Sequence, residues 1–244
     1  MRYVSMIAND SRFARGMEGV RGWMVRTAAA AGIASVGGYF AAIPGLKYLR
    51  GLAGDVTLVA FGVPEAFFAV LKLAMVIGLT ATMPYSLYLA MRELRRAFPD
   101  FSRRALIGFW GCSVLLFCIG VVFCMNVLLP YGARFLLDFE GPAIAALISV
   151  GKFVSFCSLL VLGMGVVFEM PLLMILLARI GAVSPHTFAK YRRYAILLNF
   201  IISAVLTPTP DIFNLMLMVV PLCLLYEIGI LGMRWQKNGR PSAS

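Results

Sequence analysis

Charged side chains in this chain fall almost wholly between long apolar runs. The runs cover about 24–43, 65–90, 106–128, 153–178, 194–206 and 212–232. A bilayer core needs about 20 apolar residues per crossing helix. Runs of this length without alternation read as membrane helices rather than strands. The pattern therefore predicts an all-α polytopic membrane protein with six transmembrane helices. The 244 residues leave no room for a soluble domain, so one integral membrane domain over 1–244 is expected.

The runs differ in character. Residues 24–43 are rich in Ala and Gly, which let helices approach closely in lipid. Residues 44–64, with Pro44, Gly45 and Asp55, read as an outer loop. Residues 129–152 are semi-apolar but interrupted by Asp138, Glu140 and Pro142, and read as a segment lying along the membrane surface. The run 194–206 has only 13 residues, about 20 Å of helix against a core of roughly 30 Å. Pro221 is expected to break the last run, making the final pair a short hairpin. No repeat or inverted duplication is visible.

Composition supports the membrane reading: 61% of residues are hydrophobic and 14% charged. Soluble domains have roughly 45–50% apolar and about 25% charged residues. The net charge of +11 raises nucleic acid as a partner, but its distribution points to topology instead. With both termini in the cytoplasm, 17 of the 22 basic residues lie inside. The outside keeps Lys47, Arg50, Lys72, Arg134 and Lys152. This is the positive-inside bias, with anionic headgroups of the bilayer as the charge partner and no nucleic acid. Residues 1–26 are polar and Arg-rich without a convincing cleavage site, so the first run is expected to stay.

Candidate chemistry is sparse. The five cysteines lie in apolar runs, and Cys112, Cys118 and Cys124 are spaced too far round a helix to share a face. They read as small buried apolar residues, not metal ligands. His186 has no Cys, Asp or Glu near it in sequence, so no metal is expected. A phosphate loop fails because Ala146 stands at the first glycine position before Gly151 and Lys152. No nucleophile triad order or zinc-protease motif occurs. No enzyme and no cofactor are expected.

One residue stands out. Glu169 is the single charged side chain in the run 153–178. It lies about 14 Å from the inner end of that helix. A charge at mid-span costs roughly 2.5–3.5 kcal/mol on insertion scales. Pro171, two residues on, removes the hydrogen bond to the Val167 carbonyl and kinks the helix. Glu169 then reads in three ways: a carboxyl that only satisfies the kink, a polar docking point within the membrane, or the proton or ion site of a small secondary transporter.

Four stretches occur in a telling order: "PEAFFAVLKLA" (64–74), "VVFEMP" (166–171), "LTPTPD" (206–211) and "PLCLLYEIGI" (221–230). Together with the six runs, they resemble the TatC family, the multi-span core subunit of twin-arginine protein translocation. The likeness covers about residues 17–235. It implies a concave, glove-like bundle in the bacterial inner membrane, driven by the proton-motive force and homo-oligomeric within its complex. It implies partners: single-span TatA- and TatB-type subunits, and the twin-arginine signal peptides of folded precursors. Glu169 and Pro171 match the family's intramembrane docking glutamate and the proline after it. Thr207, Pro208, Pro210 and Asp211 match the partner-docking turn before the last span, with Thr209 as an extra residue. Pro64, Glu65, Phe67 and Phe68 match the outer entrance of span 2.

The resemblance also implies a signal-binding surface on the cytoplasmic side, where Arg21, Arg103 and Arg104 match family positions. Two family acids are replaced there, by Gly19 and Ser102. Paired guanidinium and carboxylate groups are the natural device for holding arginines. Glu18, Glu93 and Asp100 are the acids near enough to stand in. A divergent paralogue that no longer reads standard signals is the other reading of the same replacements.

The charge pattern makes a topological prediction. Single cysteines at positions 95 and 188, in a cysteine-free background, are expected to label only from the cytoplasmic side, and one at 140 only from outside. Labelling of position 95 from outside would refute the arrangement.

Overall fold

The structure is a computed structural model that describes residues 2–52, 58–97, 102–132, 148–206 and 212–238. Among the described residues the regular structure is helical apart from one pair of two-residue strands. Helix α1 spans Arg2–Leu52, α2 Val63–Ala97 and α3 Arg103–Phe123, which continues through a π-helical turn at Cys124–Leu128. Helix α4 spans Val150–Phe168 and α5 Met170–Arg179. Helices α6 (Pro185–Lys190), α7 (Arg192–Leu206) and α8 (Ile212–Asn238) follow. Strands β1 (Leu58–Val59) and β2 (Ile148–Ser149) pair in parallel, with Leu58 opposite Ile148 and Val59 opposite Ser149.

Among the described residues, five stretches are long and apolar enough to cross a bilayer: Gly19–Gly51, Pro64–Arg96, Arg103–Gly132, Val150–Arg179 and Ile212–Gln236. Helix α7, with 15 residues, is shorter than a standard crossing, as its apolar run predicted. The last run departs from expectation. Helix α8 is continuous through Pro221 and has 27 residues, about 40 Å. A proline removes one intrahelical bond, and packing against neighbouring helices carries the helix past it. Leu222, Leu225 and Tyr226, just beyond the proline, are all buried.

The expected loop from Pro44 is corrected in the same way. Helix α1 runs through Pro44 to Leu52. Ala31, Gly38, Ala42 and Leu49 form its buried stripe at helical spacing. A Cβ on Gly45 would sit 3.5 Å from Ile77 and Leu73, so α1 still lies along α2 beyond the proline. The two backbones nearly touch. A Cβ on Gly38 would lie 2.6 Å from the Ala74 carbonyl oxygen, and one on Gly78 2.5 Å from the Ser35 backbone nitrogen. Elsewhere on α1, Ile33, Val36 and Phe40 stay exposed on the surface that an apolar run presents to lipid. Of the predicted surface segment 129–152, residues 133–147 lie outside the described residues.

Two tryptophans tie α1 and α3 to one point on α2. Trp23 Nε1 donates to the Ser86 carbonyl at 2.9 Å, and Trp110 Nε1 to the Pro84 carbonyl at 2.9 Å. The cysteines divide. Cys124 and Cys157 are buried as predicted, whereas Cys112 and Cys118 are exposed. An apolar run hides this difference, because its lipid face is as apolar as its core face.

A second glycine crossing joins α3 to α4. A Cβ on Gly120 would lie 2.8 Å from the Met164 carbonyl oxygen, and one on Gly165 2.5 Å from the Phe117 ring. Gly120→Ala is therefore expected to destabilise the protein by about 1–3 kcal/mol through overpacking. Gly111→Ala, on the same helix with nothing within 4 Å of the new methyl, should be neutral or slightly stabilising. Thermal unfolding in detergent measures both.

Candidate functional site

The α3–α4 seam leads to Glu169. Along α3, Ser113, Phe117, Gly120 and Cys124 are buried at three- and four-residue spacing. Along α4, Val161, Met164, Gly165 and Phe168 answer them. Helix α4 ends at Phe168 because Pro171 has no N–H to continue the ladder. Glu169 is the residue between the two helices, with φ −73° and ψ −14°. Its N–H turns back to the Val166 carbonyl at 3.1 Å, and its own carbonyl accepts from Leu173 at 3.0 Å. The break gives the Glu169 side chain a polar partner on α3: the Ser113 hydroxyl donates to Oε2 at 2.6 Å. The second oxygen, Oε1, is buried and has no hydrogen-bond partner among the described residues. Leaving a buried polar atom unpaired costs about 1–3 kcal/mol.

Beyond the break, α5 packs on α8 through another close approach. A Cβ on Gly229 would lie 2.7 Å from Met174 Sδ and 3.2 Å from Pro171 Cα. Helix α5 ends in a Schellman turn: Ala182 N–H reaches the Leu177 carbonyl, Gly181 N–H reaches that of Ala178, and Gly181 takes φ 75°. Arg179, in the last turn, lies over the Phe109 ring at 5.3 Å.

At the strand end of the bundle, Glu65 is a clamp. It accepts from the Phe61 N–H at 2.8 Å, from the Gly151 N–H at 3.1 Å and, in a very short bond, from the Ser149 hydroxyl. One carboxylate thus binds the start of α2 to the start of α4. Lys72, seven residues on, donates to Ser155 on α4 at 2.6 Å, and Ser155 donates to the Gly151 carbonyl at 2.6 Å. Pro64, Phe67 and Phe68 are exposed beside this clamp. The two Phe rings meet edge to face at 5.7 Å.

At the opposite, basic end, Glu93 faces Gly19 across α1 and α2. A Cβ on Gly19 would lie 3.2 Å from Glu93 Oε2. Arg96 Nη1 reaches both Glu93 oxygens, at 2.7 and 2.8 Å, and Arg92 reaches Oε1 at 3.4 Å. Ser102 is the N-cap of α3: its hydroxyl accepts from the Ala105 N–H at 3.2 Å. Arg21, Arg103 and Arg104 are exposed.

Comparison with known proteins names this arrangement. The family model for the Sec-independent protein translocase protein TatC matches residues 17–221. The chain belongs to the TatC family. It is 34% identical to a Sec-independent protein translocase protein TatC of Carboxydothermus hydrogenoformans over 173 residues, 71% of each chain. It is 36% identical to one from Desulforapulum autotrophicum over 173 residues, 71% of this chain and 64% of the relative. The fold matches a crystal structure of a twin-arginine translocase receptor, TatC, with a TM-score of 0.81 and 28% identity. That match covers 91% of this chain and 99% of the other. The protein is thus a membrane-spanning component of the Sec-independent translocase, a transport component rather than a classical enzyme, and the reading of Glu169 as part of a stand-alone secondary transporter falls away.

Within this TatC family member, the structure brings the sequence-selected residues into three separate places. Glu169 and Pro171 lie at the α4–α5 break, Glu65 at the strand end, and Arg21, Glu93, Arg103 and Arg104 at the basic end. The Glu18 side chain lies outside the described residues, as do Asp100, Thr207, Pro208, Pro210 and Asp211. Sequence reading missed Ser113, because one serine in an apolar run carries no signal of its own. It also missed the buried polar residues Asn199 and Ser203 on α7 and Asn214 on α8. Their signal was present: Asn199 and Ser203 stand four apart, on one face of an otherwise apolar helix. Asn199 Nδ2 reaches Cys223 Sγ at 3.6 Å, which helps hold α7 to α8.

The Ser113–Glu169 bond is open to a double-mutant cycle. Ser113→Ala alone should cost about 1–3 kcal/mol, because it leaves a buried carboxyl without a partner. Ser113→Ala in a Glu169→Met background should cost far less. Equal costs in both backgrounds, measured by unfolding in detergent, would show that the bond adds nothing to stability.

Proposed function

We propose that this TatC family member is the receptor subunit of a twin-arginine translocase in a bacterial inner membrane. The chain forms a single integral domain with six spans and both termini in the cytoplasm. It binds signal peptides of folded precursors at its basic end and docks single-span TatA- and TatB-type partners along the membrane. The proton-motive force drives export, and several copies of the chain act together in the complex.

The observation that carries this reading is the unpaired Glu169 Oε1. Glu169 already has Ser113, so the kink alone does not account for a carboxyl with a second oxygen buried and unspent. A polar group on an incoming helix would fill that valence, and lipid cannot. The break at Glu169 also leaves irregular backbone at membrane depth, which is tolerated where protein covers it. The exposed face of α7, with Leu197, Leu198, Ile201 and Val205, offers an apolar surface for such a helix. The clamp at Glu65 serves this site indirectly by fixing the start of α4 against α2.

Site-specific photo-crosslinking between the chain and a single-span partner tests the proposal. Glu169→Gln keeps two hydrogen-bonding atoms and should retain most of the crosslink. Glu169→Ala removes both and should lower the yield by roughly tenfold, the size of one lost buried hydrogen bond. Unchanged crosslinking and export with Glu169→Ala would leave the carboxyl as a filler of the kink.

A further inference from the structure

An acid from another helix stands close beside Gly19. Glycine leaves room on α1, and the Glu93 carboxylate of α2 lies within tight contact, 3.2 Å, of where a Cβ at position 19 would stand. The Glu93 side chain is 16% exposed, so it is sheltered yet reachable. Its immediate neighbours are cationic: Arg92, Arg96 and, one residue from Arg96, the exposed Arg95. Those arginines repel a further cation, so a ligand must out-pair them; a guanidinium is best placed to, because a planar fork can satisfy both carboxylate oxygens at once.

The way Arg96 holds Glu93 matters. One nitrogen, Nη1, bridges both carboxylate oxygens, and Nη2 takes no part. This is not the two-nitrogen, two-oxygen pairing that arginine makes best. Arg96 is also 64% exposed and sits three residues from Glu93 on the same helix. Exposed pairs of that kind are weak. An external guanidinium offering two nitrogens makes the better complement to the same carboxylate.

We propose that Glu93, seated against Gly19, is the acid that receives an arginine of the signal peptide, and that Arg96 is a built-in competitor for it. This rests on the proposed receptor role and goes beyond it by naming the receiving acid and a residue that sets the threshold for binding. Arg96 keeps the carboxylate charge-paired when no signal is present. It swings into solvent when a signal arginine displaces it. The consequence is discrimination: a ligand must pair with Glu93 better than Arg96 does, which favours guanidinium over ammonium.

The test is a binding titration of the full chain in detergent with a fluorescent peptide carrying paired arginines or paired lysines. Arg96→Gln should tighten binding of the arginine peptide by about 2- to 6-fold, the gain from removing a weak exposed competitor. Arg95→Gln removes the same charge from the same turn without touching Glu93 and should give less than half that gain. Glu93→Gln combined with Arg96→Gln should abolish the gain. An equal effect of Arg96→Gln and Arg95→Gln would overturn the inference, since general charge then explains it. So would a gain that survives Glu93→Gln, since the receiving acid then lies elsewhere. In both cases arginine-dependent binding by the native chain leaves the receptor reading standing. Absence of arginine-dependent binding in every variant, with the protein monodisperse by size exclusion, would reject the receptor reading itself.

Discussion

Close backbone contact between α3 and α4 is the constraint on which the intramembrane site depends. Gly120 and Gly165 face side chains and backbone that leave no room for a methyl group. Helices in lipid gain little from burying apolar surface against each other, since acyl chains are apolar too. Their association rests on contact at short range and on hydrogen bonds. The glycine crossing supplies the first and brings Ser113 level with Glu169 to supply the second. A wider crossing would separate the hydroxyl from the carboxyl and leave Glu169 with two unpaired oxygens in hydrocarbon.

The same logic recurs along the bundle. Gly38 and Gly78 let α1 lie on α2, and Gly229 and Gly232 let α8 lie on α5. Polar ties also cross between helices: Trp23 and Trp110 to the α2 backbone, Glu65 to Ser149 and Gly151. The apolar interior sets distances between helices, and the polar ties set their register. That division leaves Glu169 as a carboxyl held firmly on one side and unsatisfied on the other.

The basic end follows a different physics, since water is available there. Ion pairs among Glu93, Arg92 and Arg96 are exposed enough to exchange partners. Position 19, which reads in the sequence as a lost acid, lies in space against the Glu93 carboxylate. Ser102 likewise serves α3 as an N-cap, so its hydroxyl is already engaged with the backbone at Ala105. Which side chain of another helix comes to stand beside such a position is invisible until the helices are packed.

Local features determined what the sequence alone could tell. Hydropathy marks apolar runs, charge marks their ends, and proline marks a broken hydrogen bond, so the helical class, the short α7, and the Glu169–Pro171 break were all legible. Family membership was legible too, from four ordered motifs. Tertiary structure alone decided that α1 and α8 run through Pro44 and Pro221, that Cys112 and Cys118 face outward, and that Ser113 meets Glu169 across 56 residues and Ser149 meets Glu65 across 84. The reason is physical. In a soluble helix the polar face reports which side is buried, but a membrane helix is apolar on both its lipid face and its packed face. Hydropathy therefore locates each helix along the chain and leaves its rotation open. Only the packing of glycines and the pairing of a few polar atoms settle which residues meet.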